Sequence, residues 1–250
     1  MTNEWLVPPE PLTLRQDEVH VWRFGLSWPS AKIAALERTL TEDERLRAER
    51  FRFEKDRNRF IAARALLRTI LARYLGASSD QLRFESSPFG KPKLTQDSLF
   101  EDMRFNLSHS GKLALLAVAR AREVGVDLEM IRPGLAEEAI PEKFFSPLEV
   151  EVLRALPMEQ QTEAFFNCWT RKEAYIKARG EGLSIPLHLF DVTLAPGDRA
   201  ALIETRGDPQ EARRWLLKEV SPAPGFVGAV AAEGGDWRLK CWDFVEARNL

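Results

Sequence analysis

The sequence predicts an α+β protein built as two α+β halves. Three observations carry this prediction. Helical periodicity concentrates in two long stretches, one closed by Gly76 and one by Gly180. Short runs with strand alternation accompany each of them in the antiparallel, hairpin-like style. The length of 250 residues suits one large domain or two of ordinary size. A division at residues 121–125 gives an N-terminal half of 1–123 and a C-terminal half of 124–250. Identity between the halves is too weak to establish a repeat.

Each element has its own signal. After a proline-rich entry (Pro8, Pro9, Pro11), VHVWRFGL at 19–26 alternates as a strand. SAKIAALERTL and TEDERLRAERF read as helices, the second opened by Thr41 with Glu44 three residues on, a capping box. A long amphipathic helix spans about Asp56 to Leu75, with Phe60, Ala63, Leu67, Ile70, Leu71 and Tyr74 as its apolar stripe. SSPFGKPKL reads as a turn into a short strand, and RFNLSHSG, KLALLAVAR and EVGVDLE as three successive strands. In the second half, PEKFFSPLEVEVLRAL supplies short helices and EQQTEAFFNCWTRKEAYIKARG one long helix. Strands are expected near FDVTL, RWLLKEV, FVGAVAA and RLKCWDF, completing the second half's sheet. Trp215, Trp237 and Trp242 read as packing residues there.

Composition narrows the class. Hydrophobic residues make up 44% and charged residues 30%, which is ordinary for a soluble globular chain. A net charge of −2 gives no argument for nucleic acid or a membrane surface as partner. The 2 cysteines, Cys168 and Cys241, have no paired spacing and read as small buried residues rather than a zinc site or disulfide. The start, MTNEWLVPPEPL, lacks a signal pattern, and no window approaches 18 apolar residues, so a cytoplasmic protein is expected.

Two stretches carry chemistry. In GVDLE, residues 125–129, Asp127 and Glu129 share one face of a strand. They are either two solvated acids or part of a cation site. In WTRKEAYIKARGEGL, residues 169–183, a helical wheel places Glu173 in the apolar sector with Trp169, Phe165, Phe166 and Ile176. Lys172 and Lys177 fall near the borders of that sector. Glu173 and Lys177 could be a surface i,i+4 pair. A carboxylate on a buried face, however, needs a partner. With Asp127 and Glu129 it would form an all-oxygen site of the kind that suits Mg²⁺ or Mn²⁺, rimmed by lysines for a pyrophosphate.

GVDLE followed by W-x-x-K-E-A-x-x-K-x-x-G-x-G-L resembles the 4′-phosphopantetheinyl transferase superfamily. The second motif comprises Trp169, Lys172, Glu173, Ala174, Lys177, Gly180, Gly182 and Leu183. FGKPKL, FNLSHSG, FFSPLE and DRNRFIAARALLR extend the likeness to its larger, surfactin-synthetase-activating type over roughly residues 40–195. The resemblance implies two similar subdomains in a pseudo-twofold arrangement with the active site at their seam. It implies transfer of the phosphopantetheine arm of coenzyme A to a serine of an acyl, peptidyl or aryl carrier protein, by a monomer. Catalytic roles would fall to Asp127, Glu173 and Lys177, and Mg²⁺ to Asp127, Glu129 and Glu173. Coenzyme A would meet Arg47, Arg59, Arg64, Lys91, Pro92, Ser108, His109, Lys172 and Lys177. For Arg47, Arg59, Arg64 and His109, a solvated position explains the residue equally well. Glu44, where the family has a basic nucleotide contact, Phe60 and Arg171 depart from the pattern.

Overall fold

The computed structural model describes residues 3–95, 102–136 and 139–245, without the side chain of the motif residue Leu183. In chain order the strands and helices are β1 (Trp5–Leu6), β2 (Glu18–Gly25), α1 (Ser30–Glu37), α2 (Glu42–Glu49), α3 (Glu54–Leu75), β3 (Phe84–Ser86), β4 (Pro92–Leu94), β5 (Met103–Ser110) and β6 (Leu113–Arg120). There follow β7 (Val124–Met130), α4 (Ile140–Phe144), α5 (Pro147–Ala155), α6 (Met158–Arg179), β8 (Phe190–Val192), β9 (Leu202–Thr205), β10 (Trp215–Val220), β11 (Phe226–Glu233) and β12 (Arg238–Asp243).

Four layers result, in the order helix, sheet, sheet, helix. The first sheet has strand order β1-β12-β2-β6-β5 and the second β10-β11-β7. Period-two alternation sorts the side chains among three cores. From β2 and β6, Trp22, Phe24, Ala114, Leu116 and Val118 pack with α3. Val19, Val21, Leu115, Ala117 and Ala119 point the other way, onto Val124, Val126 and Leu128 of β7 and Val230 and Ala232 of β11. The far face of the second sheet, with Ala229 and Ala231, packs on α6. Helices α3 and α6 each have 22 residues and each end at a left-handed glycine, Gly76 at φ 59° and Gly180 at φ 73°, so the two halves share one plan.

The capping box of α2 is present, with Glu44 accepting from the Thr41 amide at 3.1 Å. Both cysteines are free and buried, as are the three tryptophans expected to pack. Two expectations fail. β8 pairs with β9 in a separate two-stranded sheet instead of joining β10-β11-β7. β12 does not join the second half's sheet; it runs parallel to β2 in the first. Alternation identifies a strand but not the edge it joins, and β2 offers a free edge on the side away from β6. Residues 238–243 therefore cross the division expected at residue 123.

Candidate active site

The site begins with the alternation of β7. Val124, Val126 and Leu128 fill the core between the sheets, so Gly125, Asp127 and Glu129 face α6. A Cβ on Gly125 would lie 2.2 Å from the Ala174 carbonyl oxygen and 2.3 Å from the Ala178 amide nitrogen. Strand and helix thus meet backbone to backbone. That approach lets a lysine on α6 reach a carboxylate on β7. Lys177 Nζ stands 2.6 Å from Asp127 Oδ1 and 3.1 Å from Ser108 Oγ.

Between residues 164 and 178, only Trp169, Glu173 and Lys177 are not buried. Spaced four apart, they form one narrow open stripe. This corrects the wheel, which put Glu173 inside the apolar sector. The wheel assumes one buried side, whereas α6 is covered by the second sheet on one side and by α5 and the β8 region on the other.

Strands β5 and β7 are the edges of their sheets and lie side by side without a backbone ladder. Side chains of β5 stitch them together. Asn106 Oδ1 accepts from the Val126 amide at 2.9 Å, Ser108 donates to Asp127 Oδ1 at 2.8 Å, and Ser110 donates to Glu129 Oε2 at 2.8 Å. Three carboxylates face one lysine here. Burial pushes Glu129 above the usual carboxylate range, with the Asp127 charge adding to it. Burial also raises Glu173, against the opposing Lys177 and with Asp127 and Glu129 adding. His109 is exposed on β5, and it is pushed down by partial desolvation of its ring and by the positive charges of Lys177 and Arg59.

The donor set fits a hard divalent cation. All its candidate atoms are carboxylate oxygens, and Asp127 Oδ2 is buried with no hydrogen-bond partner among the described residues. No ready-made cage of three metal-capable side chains exists among the described residues. Mg²⁺ does not need one, since it retains waters and takes substrate phosphate oxygens.

The other expected residues divide. Lys172 is not at the rim. It is fully buried, with Nζ 2.7 Å from Glu149 Oε2, 2.7 Å from the Leu187 carbonyl and 2.6 Å from the Phe190 carbonyl. All three ammonium protons are thereby used, so Lys172 ties α6 to α5 and β8 and leaves nothing for a ligand. Arg64 is likewise engaged. Its Nε donates to Glu44 Oε1 at 2.9 Å, and Arg68 donates to Glu44 Oε2 at 2.7 Å. The acid that departs from the family pattern is thus the counter-ion of two arginines on α3.

Ser108 is brought to the site, but its single proton goes to Asp127 rather than toward an open anion position. Arg59 lies close enough to act electrostatically on His109. Arg47 is exposed, over the Phe60 ring at 5.4 Å. Lys91 Nζ donates to Glu123 at 3.0 Å and to the carbonyls of Val124 and Ala178. With Pro92 it lines a cavity of about 450 Å³ that also touches Phe89, Arg104 and Arg179. A smaller cavity of about 210 Å³ shares Phe89, Lys91 and Pro92 and reaches Asn106 and Lys177. A groove therefore leads from Lys177 to the β3–β4 hairpin. Asn106, Ser110 and Glu149 escaped the sequence reading. The alternation N-x-S-x-S in FNLSHSG was the available signal for the first two.

A two-halved α+β protein with a carboxylate and lysine site at its seam is the class that fold and site define. The family model for the 4′-phosphopantetheinyl transferase superfamily matches residues 123–231, and that for the 4′-phosphopantetheinyl transferase N-terminal region matches 27–121. The 4′-phosphopantetheinyl transferase HetI of Nostoc sp. is 42% identical over 98% of this chain and 100% of its own length. The 4′-phosphopantetheinyl transferase Sfp of Bacillus subtilis is 31% identical over 79% of this chain and 84% of its own. The Chronobacterium ammoniagenes ACPS-CoA complex aligns with 45% of this chain and 96% of its own at 27% identity, with a TM-score of 0.34. The chain belongs to the 4′-phosphopantetheinyl transferase superfamily. Among the described residues, no helix is long and apolar enough to cross a membrane.

Proposed function

We propose that this protein transfers the 4′-phosphopantetheine group of coenzyme A to a serine hydroxyl of an apo carrier protein. The serine oxygen forms a bond to the β-phosphorus as the bond to the adenosine-bearing phosphate breaks, releasing adenosine 3′,5′-bisphosphate. One observation carries the reading: Asp127, Glu129, Glu173 and Lys177 face one another across a single seam in a chain of this superfamily. Asp127, Glu129 and Glu173 would hold Mg²⁺, or Mn²⁺ in its place. When bound, the ion supplies charge neutralisation at the pyrophosphate.

The remaining work falls to side chains. Glu173 makes no hydrogen bond among the described residues, and burial strengthens it as a base, which suits it to take the serine proton. Lys177 would neutralise the leaving phosphate, and Asp127 holds its ammonium in position. Arg59 and His109 would meet coenzyme A phosphates, with Arg47 farther out, and Lys91 and Pro92 would border its nucleotide. The acceptor is a fatty-acid, polyketide or peptide-synthesis carrier, and the enzyme acts as a cytoplasmic monomer.

The test incubates the protein with Mg²⁺, coenzyme A and each of the three carrier types, and reads the carrier mass. A gain of one phosphopantetheine group is expected. No gain on any carrier would sink the proposal. Glu173→Gln should retain coenzyme A affinity and lose at least about 100-fold in turnover, the low end of a general base's contribution.

A further inference from the structure

The stitching of β5 to β7 assigns a task to a residue outside the reactive set. Asn106, Ser108 and Ser110 alternate on β5, so all three point across the seam. Gly111 follows at φ 59°, a left-handed turn that ends the strand directly after Ser110. The hydroxyl of Ser110 accepts from the Met130 amide at 3.1 Å. Its own single proton is then directed to Glu129 Oε2, 2.8 Å away. The oxygen is thus fixed by backbone on one side and spends its donor on a half-buried carboxylate on the other. Ser108 also donates to a carboxylate, Asp127, but its oxygen accepts from Lys177 and not from backbone. A carboxylate offered to a cation needs such a partner, because an outer hydrogen bond fixes which oxygen remains free and where it points.

We propose that Ser110 is a positioning residue, whose hydroxyl, anchored by the Met130 amide, aims the Glu129 carboxylate at the divalent cation of this seam. The proposal rests on the metal reading above. It gives Ser110 no contact with substrate or cation, and it distinguishes Ser110 from a residue that merely ends a strand.

The experiment is a double-mutant cycle of Ser110→Ala and Glu129→Gln, read as Mn²⁺ affinity by electron paramagnetic resonance in the presence of coenzyme A. Ser110→Ala should weaken Mn²⁺ binding about tenfold, the low end for loss of a supporting partner. In the Glu129→Gln background, Ser110→Ala should weaken it no further, because the carboxylate it serves is gone. Ser110→Thr keeps the hydroxyl and should restore affinity to within about twofold, which a purely packing role would not require. Coenzyme A affinity without metal should stay unchanged in Ser110→Ala. If wild-type protein takes up no Mn²⁺, the metal reading falls and this proposal with it. If wild type binds Mn²⁺ and Ser110→Ala binds it equally well, or loses the same factor in both backgrounds, the role of Ser110 alone is overturned.

Discussion

Gly125→Ala is the perturbation that tests how the site is built. The added Cβ would sit 2.2 Å from the Ala174 oxygen and 2.3 Å from the Ala178 nitrogen. An unstrained contact needs roughly 3.4 Å, so β7 and α6 must separate by about 1.1–1.2 Å. The helix cannot simply retreat, because Lys172 clamps its other side to Glu149 and to the Leu187 and Phe190 carbonyls. Overpacking of this kind costs about 1–3 kcal/mol of stability. Its effect on the site is sharper. A 1 Å separation takes the Lys177–Asp127 contact from 2.6 Å out of hydrogen-bond range and moves Glu173 with it. Misplacement on that scale costs about 100-fold in turnover. Urea denaturation and initial rates of carrier mass gain measure the two effects separately. The atoms struck are backbone atoms, so trimming Ala178 to glycine in the same protein should recover neither. A Gly125→Ala protein with turnover within about threefold of wild type would refute the claim that backbone contact sets the site.

Other outcomes follow from buried charge. Lys172→Met leaves Glu149 buried without its cation and should cost about 3–5 kcal/mol in urea denaturation, while the folded protein binds coenzyme A as wild type does; weakened binding without lost stability would restore Lys172 to the ligand set. Glu44→Ala leaves Arg64 and Arg68 on α3 without their shared counter-ion; a loss of about 3 kcal/mol or more is expected, and no change would show that solvent serves those arginines. His20 pairs with Glu18 and with the Tyr74 hydroxyl, which accepts from Trp22. Burial lowers His20 from its ordinary 6.5 to about 4, so the unfolded chain takes up the proton first as pH falls. Stability should drop by about 3 kcal/mol between pH 6.5 and about 4; a His20 that titrates by NMR near pH 6.5 in the folded state would contradict this.

Much of the fold was legible because it depends on local chemistry. The Thr41–Glu44 box, the glycines that close α3 and α6, and the alternation of β5, β6 and β7 are properties of short windows. What escaped depends on what lies opposite. β12 reads as a strand from its own residues, yet its partner is β2, more than 200 positions away. Lys172 reads as a rim lysine until Glu149 and the carbonyls of residues 187 and 190 are brought onto it. A wheel finds the amphipathic face of a helix packed on one side and fails for α6, whose polar stripe is an opening in an otherwise buried cylinder.

The same distinction explains GVDLE. Its alternation fixes that Asp127 and Glu129 share a face, but their separate fates come from two other elements. Lys177 on α6 neutralises Asp127, and Ser110 on β5 serves Glu129 with a dipole rather than a charge. Glu173 makes no hydrogen bond among the described residues and feels the Lys177 charge at a distance. Three carboxylates therefore share the charge of one lysine, which leaves a net negative pocket bounded by a buried, unpartnered Asp127 oxygen. Such an arrangement costs folding energy when empty. Its cost is recovered only when positive charge enters, so a divalent ion added with coenzyme A should raise the melting temperature of wild type, and should do so far less once Asp127→Asn removes the buried charge. Equal shifts in both proteins would mean that the ion acts elsewhere, and that the pairing of like charges on β7 has another cause.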